Sequence, residues 1–154
     1  MTARRPLKIP PVAVTGIFAV LMWLVSVFTP KLAIALSLRI AAALALAALG
    51  LSVIALAVKG FREERTSVNP MDFDRTSAIV TAGIYRVSRN PMYLGMLVIQ
   101  LGYALWDGSM GVLGFVPFAF IAIDRAVIAK EEKYLAERFG KPFEDYCARV
   151  RRWI

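Results

Sequence analysis

The stretch GIYRVSRNPMYLG, residues 83–95, contains the boundary between a basic, polar part of this chain and an apolar part. Arg86 and Arg89 lie in its first half, and after Asn90 and Pro91 the chain continues into the apolar run MLVIQLGYALW. Asn is favoured at the N-cap of a helix and Pro at its first position, so a helix is predicted to begin here. The free N–H groups at that helix start, together with the two guanidinium groups, could hold an anionic group.

The composition of the whole chain indicates a membrane protein. Of its 154 residues 58% are hydrophobic, and the mean hydropathy is +0.61, which is more apolar than a soluble domain of this size. Lys and Arg number 19 against 11 acidic residues. Such a balance is also typical of nucleic-acid-binding proteins, but the apolar composition favours a membrane whose cytoplasmic side carries the Lys and Arg residues. We therefore expect membrane lipids, and no nucleic acid, among its partners.

Two residue types limit the chemistry. The sequence contains no histidine, which excludes His-based metal sites and histidine general bases, and no metal is expected. Cys147, the one cysteine, cannot form an internal disulfide, and we interpret it as a reduced, cytosol-facing thiol without a catalytic role. The N-terminal MTARRPLKIPP resembles the charged part of a signal peptide. The apolar run behind it lacks a small-residue cleavage site, so we predict that it is kept as a helix.

Four apolar segments predict four membrane-spanning helices, at about residues 12–28, 32–58, 92–106 and 110–129. The second is rich in Ala, and small residues let membrane helices approach closely. It could pack within one chain or between two, so a homo-oligomer stays open. Asp107, Gly108 and Ser109 predict a turn that makes the last two spans a short hairpin. The predicted fold is a single all-α membrane domain, with a C-terminal amphipathic cytoplasmic helix.

The cations are distributed along the chain as the positive-inside rule requires. Three precede the first span, two flank the turn after it, and six lie between the second and third spans. None lies in the turn between the third and fourth spans, and eight follow from Arg125 onwards. Both termini, the loop at residues 59–91 and the tail at residues 130–154 are therefore expected on the cytoplasmic side. Any water-soluble ligand would bind there.

The tail, KEEKYLAERFGKPFEDYCARVRRWI, is the second polar segment. Glu131 and Glu132 lie just past the membrane end of the fourth span, where carboxylates are costly unless paired or hydrated, so they are candidates for a functional site. The simpler interpretation is a solvated helix face, just as the Arg and Tyr residues near Pro91 could be topology anchors and interfacial aromatics. The fourth helix is expected to continue past its apolar run as one amphipathic helix toward Phe139 and Gly140, and Gly140 predicts its end. Residues 143–153 predict a short amphipathic helix on anionic lipid headgroups, which would attract Arg149, Arg151 and Arg152.

Four segments together resemble the isoprenylcysteine carboxyl methyltransferase and phospholipid methyltransferase family of integral membrane proteins. They are TSVNP at residues 66–70, VTAGIYRVSRNPMYLG, EEKYLAERFG and the closing DYCARVRRWI, in the order and spacing of the family. The resemblance covers the chain from about residue 61 to its end. It implies S-adenosylmethionine as methyl donor, bound at the cytoplasmic face between the segment before Pro91 and the tail. An amphiphilic acceptor would reach the site from the bilayer.

In the family's pattern, the polar core consists of Arg89–Pro91, Tyr93 and the pair Glu131 and Glu132. The following roles are hypotheses consistent with these residues. Arg89 would pair with the carboxylate of the donor, and Asn90 would hydrogen-bond to donor or acceptor. Tyr85 and Tyr146 would flank the adenine, and the backbone at residues 81–84 would supply further polar contacts. The expected donor-binding residues are Thr81, Gly83, Ile84, Tyr85, Arg89, Asn90, Tyr93, Glu132, Tyr146 and Arg149. The expected catalytic residues are Arg89, Asn90, Glu131 and Glu132.

Two positions depart from the family pattern. Carboxyl methyltransferases usually have His where this chain has Asn90, whereas bacterial and phospholipid-type members often have Asn. The usual tyrosine pair of the tail is Phe143 and Tyr146 here, so one hydroxyl is missing. Carboxylate, amine and thiol acceptors therefore all stay open.

The acceptor decides whether a base is needed. A carboxylate or thiolate needs none, which fits the absence of His, whereas an amine must lose a proton, and Glu131 or Glu132 is then the candidate base. Two other functions are compatible with the sequence. One is a membrane reductase that uses a nicotinamide dinucleotide, although this would require a longer loop with more phosphate-binding cations. The other is a non-catalytic membrane subunit or lipid-binding helper, in which the Arg and Glu residues only hold partners.

Overall fold

The computed structural model describes residues 11–63 and 79–154 of the chain. The N-terminal cations and the TSVNP motif lie outside these residues. Within them the structure is helical, and the β-type pairing consists of one isolated bridge between Lys31 and Ser109. The helices in chain order are α1 (Pro11–Phe28), α2 (Leu36–Glu63), a 3-10 helix (Gly83–Arg86), α3 (Pro91–Asp107), α4 (Met110–Ala122), a π-helical stretch (Ile123–Ile128), α5 (Ala129–Phe139) and α6 (Lys141–Arg149).

The predicted spans and the observed helices differ most at α2. This helix begins at Leu36 rather than at residue 32, and it continues to Glu63, past the predicted end at residue 58. The residues before it pair with the turn after α3: Lys31 forms a β-bridge with Ser109, and the N–H of Leu32 donates to the carbonyl oxygen of Gly108. The other three helices begin within one residue of their predicted starts. The fourth runs without interruption from Met110 to Phe139, as its predicted amphipathic continuation requires.

Two helices are long and apolar enough to cross a membrane, namely α2 and the continuous helix Met110–Phe139. The apolar part of α1, Val12–Phe28, is shorter, and α3 has 17 residues. Large apolar side chains of α1 and α2 lie exposed on the outside of the bundle, among them Phe28 at 84% and Leu44 at 66%. Surfaces of this kind are typical of helices that contact lipid.

Helix α3 lies at the centre of the bundle. It packs along α2 on one side and contacts α1 and α4 on the other. The contact with α2 is close because glycines face each other there: a Cβ atom on Gly50 would lie 2.6 Å from the carbonyl oxygen of Gly95. On the opposite side, Tyr93, Met96 and Leu97 form a core with residues of the fourth helix. The first turn of α3 is thereby fixed against both long helices.

A polar cluster joins the helices at the end of α3 that is distant from Asn90. Asp107 is buried, and its Oδ2 atom accepts hydrogen bonds from Ser26 Oγ at 2.6 Å and from Lys31 Nζ at 2.7 Å. The guanidinium of Arg39, the one charge within the second apolar segment, donates to the last carbonyl groups of α3. Gly108 follows with φ of 72°, which confirms the predicted turn. We call this the distal cluster.

The tail folds back on the bundle. Gly140 ends α5 with a positive φ of 57°, as predicted, and α6 follows directly. The prediction of an amphipathic helix over residues 143–153 was wrong about where the helix ends, since α6 stops at Arg149 and Val150 is extended. Its apolar face is also covered by protein, because Phe143 and Tyr146 are buried against α5 side chains such as Leu135. We call residues 150–154 the C-terminal strap.

Candidate functional site

The candidate site lies where three segments meet: the residues just before α3, the first turn of α5 and the C-terminal strap. Arg89 and Glu132 form its centre, with Arg89 Nη2 at 2.8 Å from Glu132 Oε1. Both side chains are largely buried, at 13% and 16% exposure. The two groups are close enough for an ion pair, yet their alignment is poor: Glu132 Oε1 and Arg89 Nε each lack an aligned hydrogen bond within the described residues. Buried polar atoms are usually fully hydrogen-bonded, so these two atoms could bind a small polar ligand.

Tyr93 and Glu131 form a second pair beside the first. The Tyr93 hydroxyl donates a 3.0 Å hydrogen bond to Glu131 Oε2, and the tyrosine ring is buried in the core below it. Tyr93 reaches this position because it lies in the first turn of α3, two residues after Pro91. Glu131 and Glu132 both lie in the first turn of α5, so the two pairs are at the same end of that helix.

Asn90 holds the strap in place. Its side-chain Nδ2 donates to the carbonyl oxygen of Arg152 at 3.1 Å, while the backbone N–H of Arg89 donates to the carbonyl oxygen of Arg151 at 3.1 Å. Pro91 begins α3 as predicted, but the Asn90 side chain makes no capping hydrogen bond. Asn90 therefore occupies the predicted N-cap position, but its amide binds the tail instead of capping the helix.

Arg152 enters the site from the strap. Its Nη1 lies 3.2 Å from each carboxylate oxygen of Asp124, and its Nη2 lies 2.5 Å from Glu132 Oε2. Trp153 Nε1 donates to Asp124 at 2.9 Å. Hydrogen bonding to Glu132 raises the pKa of Arg152 above its usual value. The interpretation of this arginine as a lipid anchor was wrong, since its guanidinium faces two carboxylates of the protein.

Asp124, Arg152 and Trp153 are the site residues that the sequence analysis missed. One signal was available for Asp124, because an acidic residue inside the run IAIDRAVI, at the end of an apolar helix, requires a partner. No local pattern distinguishes an arginine that meets a carboxylate from one that meets a lipid phosphate. Arg152 is identified by the tertiary structure alone.

The two tyrosines expected to flank an adenine are linked to each other. The Tyr146 hydroxyl donates a 2.8 Å hydrogen bond to the backbone carbonyl oxygen of Tyr85. The Tyr85 ring is buried and packs edge-on against Phe61 of α2, with the ring centroids 5.4 Å apart. Burial raises the pKa of both hydroxyl groups, so both are neutral at physiological pH. The adenine assignment remains a prediction, and the geometry shows that this pair fixes the tail to the 3-10 helix.

The remaining expected residues lie outside the centre. Thr81 and Gly83 are exposed, and Gly83 begins the 3-10 helix with φ of 58°, as the predicted turn requires. Ile84 is partly buried in the cluster around Tyr85. Arg149 is exposed, and its Nε donates to the carbonyl oxygen of Asp145 in its own helix. The structure therefore does not bring these four residues into the pairing between Arg89 and Glu132.

Cys147 lies next to the site through its backbone. Arg89 Nη1 donates to its carbonyl oxygen at 3.3 Å, and the thiol is partly buried. Burial raises the pKa of this thiol, and the nearby Arg89 cation only partly opposes that change. Among residues 11–63 and 79–154 no group of His, Cys, Asp or Glu side chains is arranged to hold a metal ion.

The comparisons with known proteins point to one family. The profile of the family described as phospholipid methyltransferase matches residues 38–142. The match begins earlier than the predicted resemblance, within α2, and ends at the first turn of α6, so the C-terminal strap lies beyond it. An uncharacterized protein of Haemophilus influenzae is 42% identical over 64 residues, which is 41% of this chain and the whole of that protein.

Two further relatives are much longer than this chain. The cobalt-zinc-cadmium resistance protein CzcN of Cupriavidus metallidurans is 32% identical over 76 residues, which is 49% of this chain and 35% of that protein. The Delta(14)-sterol reductase of Mus musculus is 25% identical over 76 residues, which is 47% of this chain and 18% of that protein. No solved structure matches significantly. Since the family profile covers more than half of the chain, the protein belongs to the phospholipid methyltransferase family, and this membership indicates a membrane methyltransferase.

Proposed function

We propose that the protein transfers a methyl group from S-adenosylmethionine to a lipid-like or amphiphilic acceptor at the cytoplasmic face of a membrane. One observation carries the proposal: the Arg89–Glu132 pair is buried, is incompletely hydrogen-bonded and lies beside the start of α3. The family membership supports methyl transfer. The distribution of Lys and Arg supports four spans with both termini on the cytoplasmic side.

The amino-acid part of the donor fits this pair by charge. It carries one carboxylate and one ammonium group, so its carboxylate would take the place of Glu132 at Arg89, and its ammonium would take the place of Arg89 at Glu132. The exchange leaves the charge of the two side chains balanced. It also gives partners to Arg89 Nε and Glu132 Oε1, the two atoms that lack aligned hydrogen bonds. Carboxylates and guanidinium groups form strong paired hydrogen bonds, so Arg89 is the expected anchor.

The chain contributes position and exclusion of water. When bound, the donor supplies a methyl group on a sulfonium, and the methyl carbon moves in line to the acceptor while the bond electrons remain on sulfur. The strap and α6 cover the site on one side, and α3 leads from it into the apolar bundle. Correct placement of two reactants can lower a barrier by several kcal/mol, on the order of 7 or more. If the acceptor is an amine, its proton passes to a carboxylate, and Glu131 is the candidate because its hydrogen-bond partner is a hydroxyl group rather than a cation.

A binding screen tests the proposal. The purified protein in detergent would be heated with S-adenosylhomocysteine, with NADPH and with neither, and the melting temperature recorded. We expect stabilisation by S-adenosylhomocysteine alone. Arg89→Gln should abolish that stabilisation and Glu132→Gln should reduce it. The exposed residues Arg125 and Glu137 provide the matched controls Arg125→Gln and Glu137→Gln. Wild-type protein that is not stabilised by S-adenosylhomocysteine would contradict donor binding.

The same screen addresses the two other functions. The similarity to the Delta(14)-sterol reductase keeps the reductase alternative open, and stabilisation by NADPH would support it. Stabilisation by neither compound would favour a non-catalytic membrane subunit. Incubation with radiolabelled S-adenosylmethionine and a total lipid extract, followed by identification of the labelled product, would then define the acceptor.

A further inference from the structure

The Glu132 carboxylate is divided between two arginines. Its Oε2 accepts hydrogen bonds from Arg152 Nε at 3.1 Å and from Arg152 Nη2 at 2.5 Å, while its Oε1 faces Arg89. Arg152 therefore occupies one oxygen and leaves the other directed at the place proposed for the donor. A carboxylate held by Arg89 alone could rotate and present either oxygen.

Asp124 anchors Arg152 from the opposite side. Its two oxygens each lie 3.2 Å from Arg152 Nη1, so the guanidinium uses all three nitrogens on two carboxylates. Asp124 is itself fixed by Trp153 Nε1, and the Trp153 ring packs on Phe120 with the centroids 4.8 Å apart. A planar guanidinium fork can make this arrangement, but a single ammonium group cannot.

The π-helical stretch brings the two carboxylates toward one face. Asp124 and Glu132 are eight residues apart, which in a regular α-helix separates them by about 80° around the axis. The stretch Ile123–Ile128 has i to i+5 hydrogen bonds and therefore more residues per turn, which reduces that angle. Such stretches are frequent at functional sites.

Lipid binding does not explain Arg152. The neighbouring Arg149 and Arg151 have exposed side chains, as a headgroup contact requires, whereas Arg152 is 32% exposed and is used by Asp124 and Glu132.

We propose that Arg152 and Asp124 are positioning residues for donor binding: Asp124 anchors the Arg152 guanidinium, and Arg152 fixes the Glu132 carboxylate with Oε1 toward the donor. The inference rests on the proposed function, because it assigns Glu132 a role in holding the donor. It predicts that Asp124 acts through Arg152, and that Arg152 acts through Glu132.

The test is the affinity for S-adenosylhomocysteine, measured by calorimetry in detergent. We expect Arg152→Gln to weaken binding about tenfold, since hydrogen bonds between charged groups are lost, and Asp124→Asn to weaken it several-fold. Arg125→Gln is the matched control, because Arg125 also contacts Asp124, at 3.4 Å, but is 82% exposed. This control should bind within about twofold of wild type.

Double variants separate positioning from general destabilisation. In the Glu132→Gln background, Arg152→Gln should weaken binding no further, and in the Arg152→Gln background the same should hold for Asp124→Asn. If the affinity lost in a double variant equals the sum of the losses in its two single variants, the proposal is overturned. Where Arg152→Gln does not fold, Arg152→Lys keeps the charge and is expected to melt near the wild-type temperature but to bind more weakly.

The failures are distinguishable. If wild-type protein does not bind S-adenosylhomocysteine, the proposed function is wrong and this inference is wrong with it. If wild-type protein binds and the Arg152 variants bind equally well, the inference alone is wrong.

Discussion

Gly50 and Gly95 lie backbone to backbone where α2 crosses α3. A Cβ atom on Gly50 would be 2.6 Å from the carbonyl oxygen of Gly95, and a Cβ atom on Gly95 would be 2.7 Å from the carbonyl oxygen of Gly50. Both distances are shorter than real Cβ contacts allow, so even a methyl group requires the helices to separate. The close contact is reciprocal, and it sets the position of the first turn of α3.

Substitution of either glycine by alanine should therefore destabilise the bundle. We expect Gly50→Ala and Gly95→Ala to cost about 1–3 kcal/mol, the usual cost of overpacking, in unfolding experiments in detergent. Gly16 and Gly114 are helical glycines at which an added Cβ atom would have no neighbour within 4 Å, so Gly16→Ala and Gly114→Ala are the matched controls. These should be neutral or stabilising by up to about 1 kcal/mol. Equal effects at all four positions would contradict the packing explanation.

The distal cluster should contribute to stability without affecting ligand binding. Asp107→Asn removes the charge that accepts hydrogen bonds from Ser26 and Lys31, and we expect a loss of about 1–3 kcal/mol. The affinity for S-adenosylhomocysteine should stay within about twofold, because the cluster lies at the other end of α3. Asp145→Asn, on the exposed face of α6, is the control for the same chemical change. A selective loss of affinity in Asp107→Asn would show that the two ends of α3 are coupled.

The sequence predicts the parts of the fold that depend on local signals. Pro91 fixes the start of α3, and Gly108 and Gly140 fix the ends of two helices, because these residue types favour particular backbone conformations wherever they occur. Glu131 and Glu132 stand out for a similar reason, since carboxylates at the end of an apolar helix need partners.

The parts that the sequence does not predict depend on contacts between distant segments. Before α2 begins, Lys31 and Leu32 pair with the turn after α3. After α6 ends, the strap pairs with Arg89 and Asn90. The dependence on distant contacts also explains why the sequence pattern associates Arg152 with lipid. A guanidinium in a basic tail has the same local pattern whether its partner is a phosphate or a buried carboxylate.

Cys147 should be slow to react while the protein is folded. Alkylation requires the thiolate, and burial raises the pKa of this thiol, so less thiolate is present at any given pH than in an exposed cysteine. We expect iodoacetamide at about pH 7.5 to label the folded protein at least about tenfold more slowly than the unfolded chain. The rate should rise with pH through the alkaline range. Arg89→Gln should slow the reaction further, because the Arg89 cation lowers the pKa of the thiol. Equal rates in folded and unfolded protein would contradict this.

Substitution of Glu131 should chiefly affect turnover, whereas substitution of Glu132 should chiefly affect donor binding. Glu132 contacts two arginines, whereas Glu131 accepts a hydrogen bond from the neutral Tyr93 hydroxyl and takes part in no ion pair within residues 11–63 and 79–154. A carboxylate with only a neutral partner is the better proton acceptor, so Glu131→Gln should lower turnover of an amine acceptor by about 100-fold or more, with donor affinity nearly unchanged. Glu132→Gln should chiefly weaken donor binding. Comparison of kcat with the dissociation constant of S-adenosylhomocysteine, in both variants, checks this division of roles.

For a carboxylate acceptor, which has no proton to lose, the turnover defect of Glu131→Gln should be small. A large defect with that acceptor would show that Glu131 positions the acceptor rather than removing its proton.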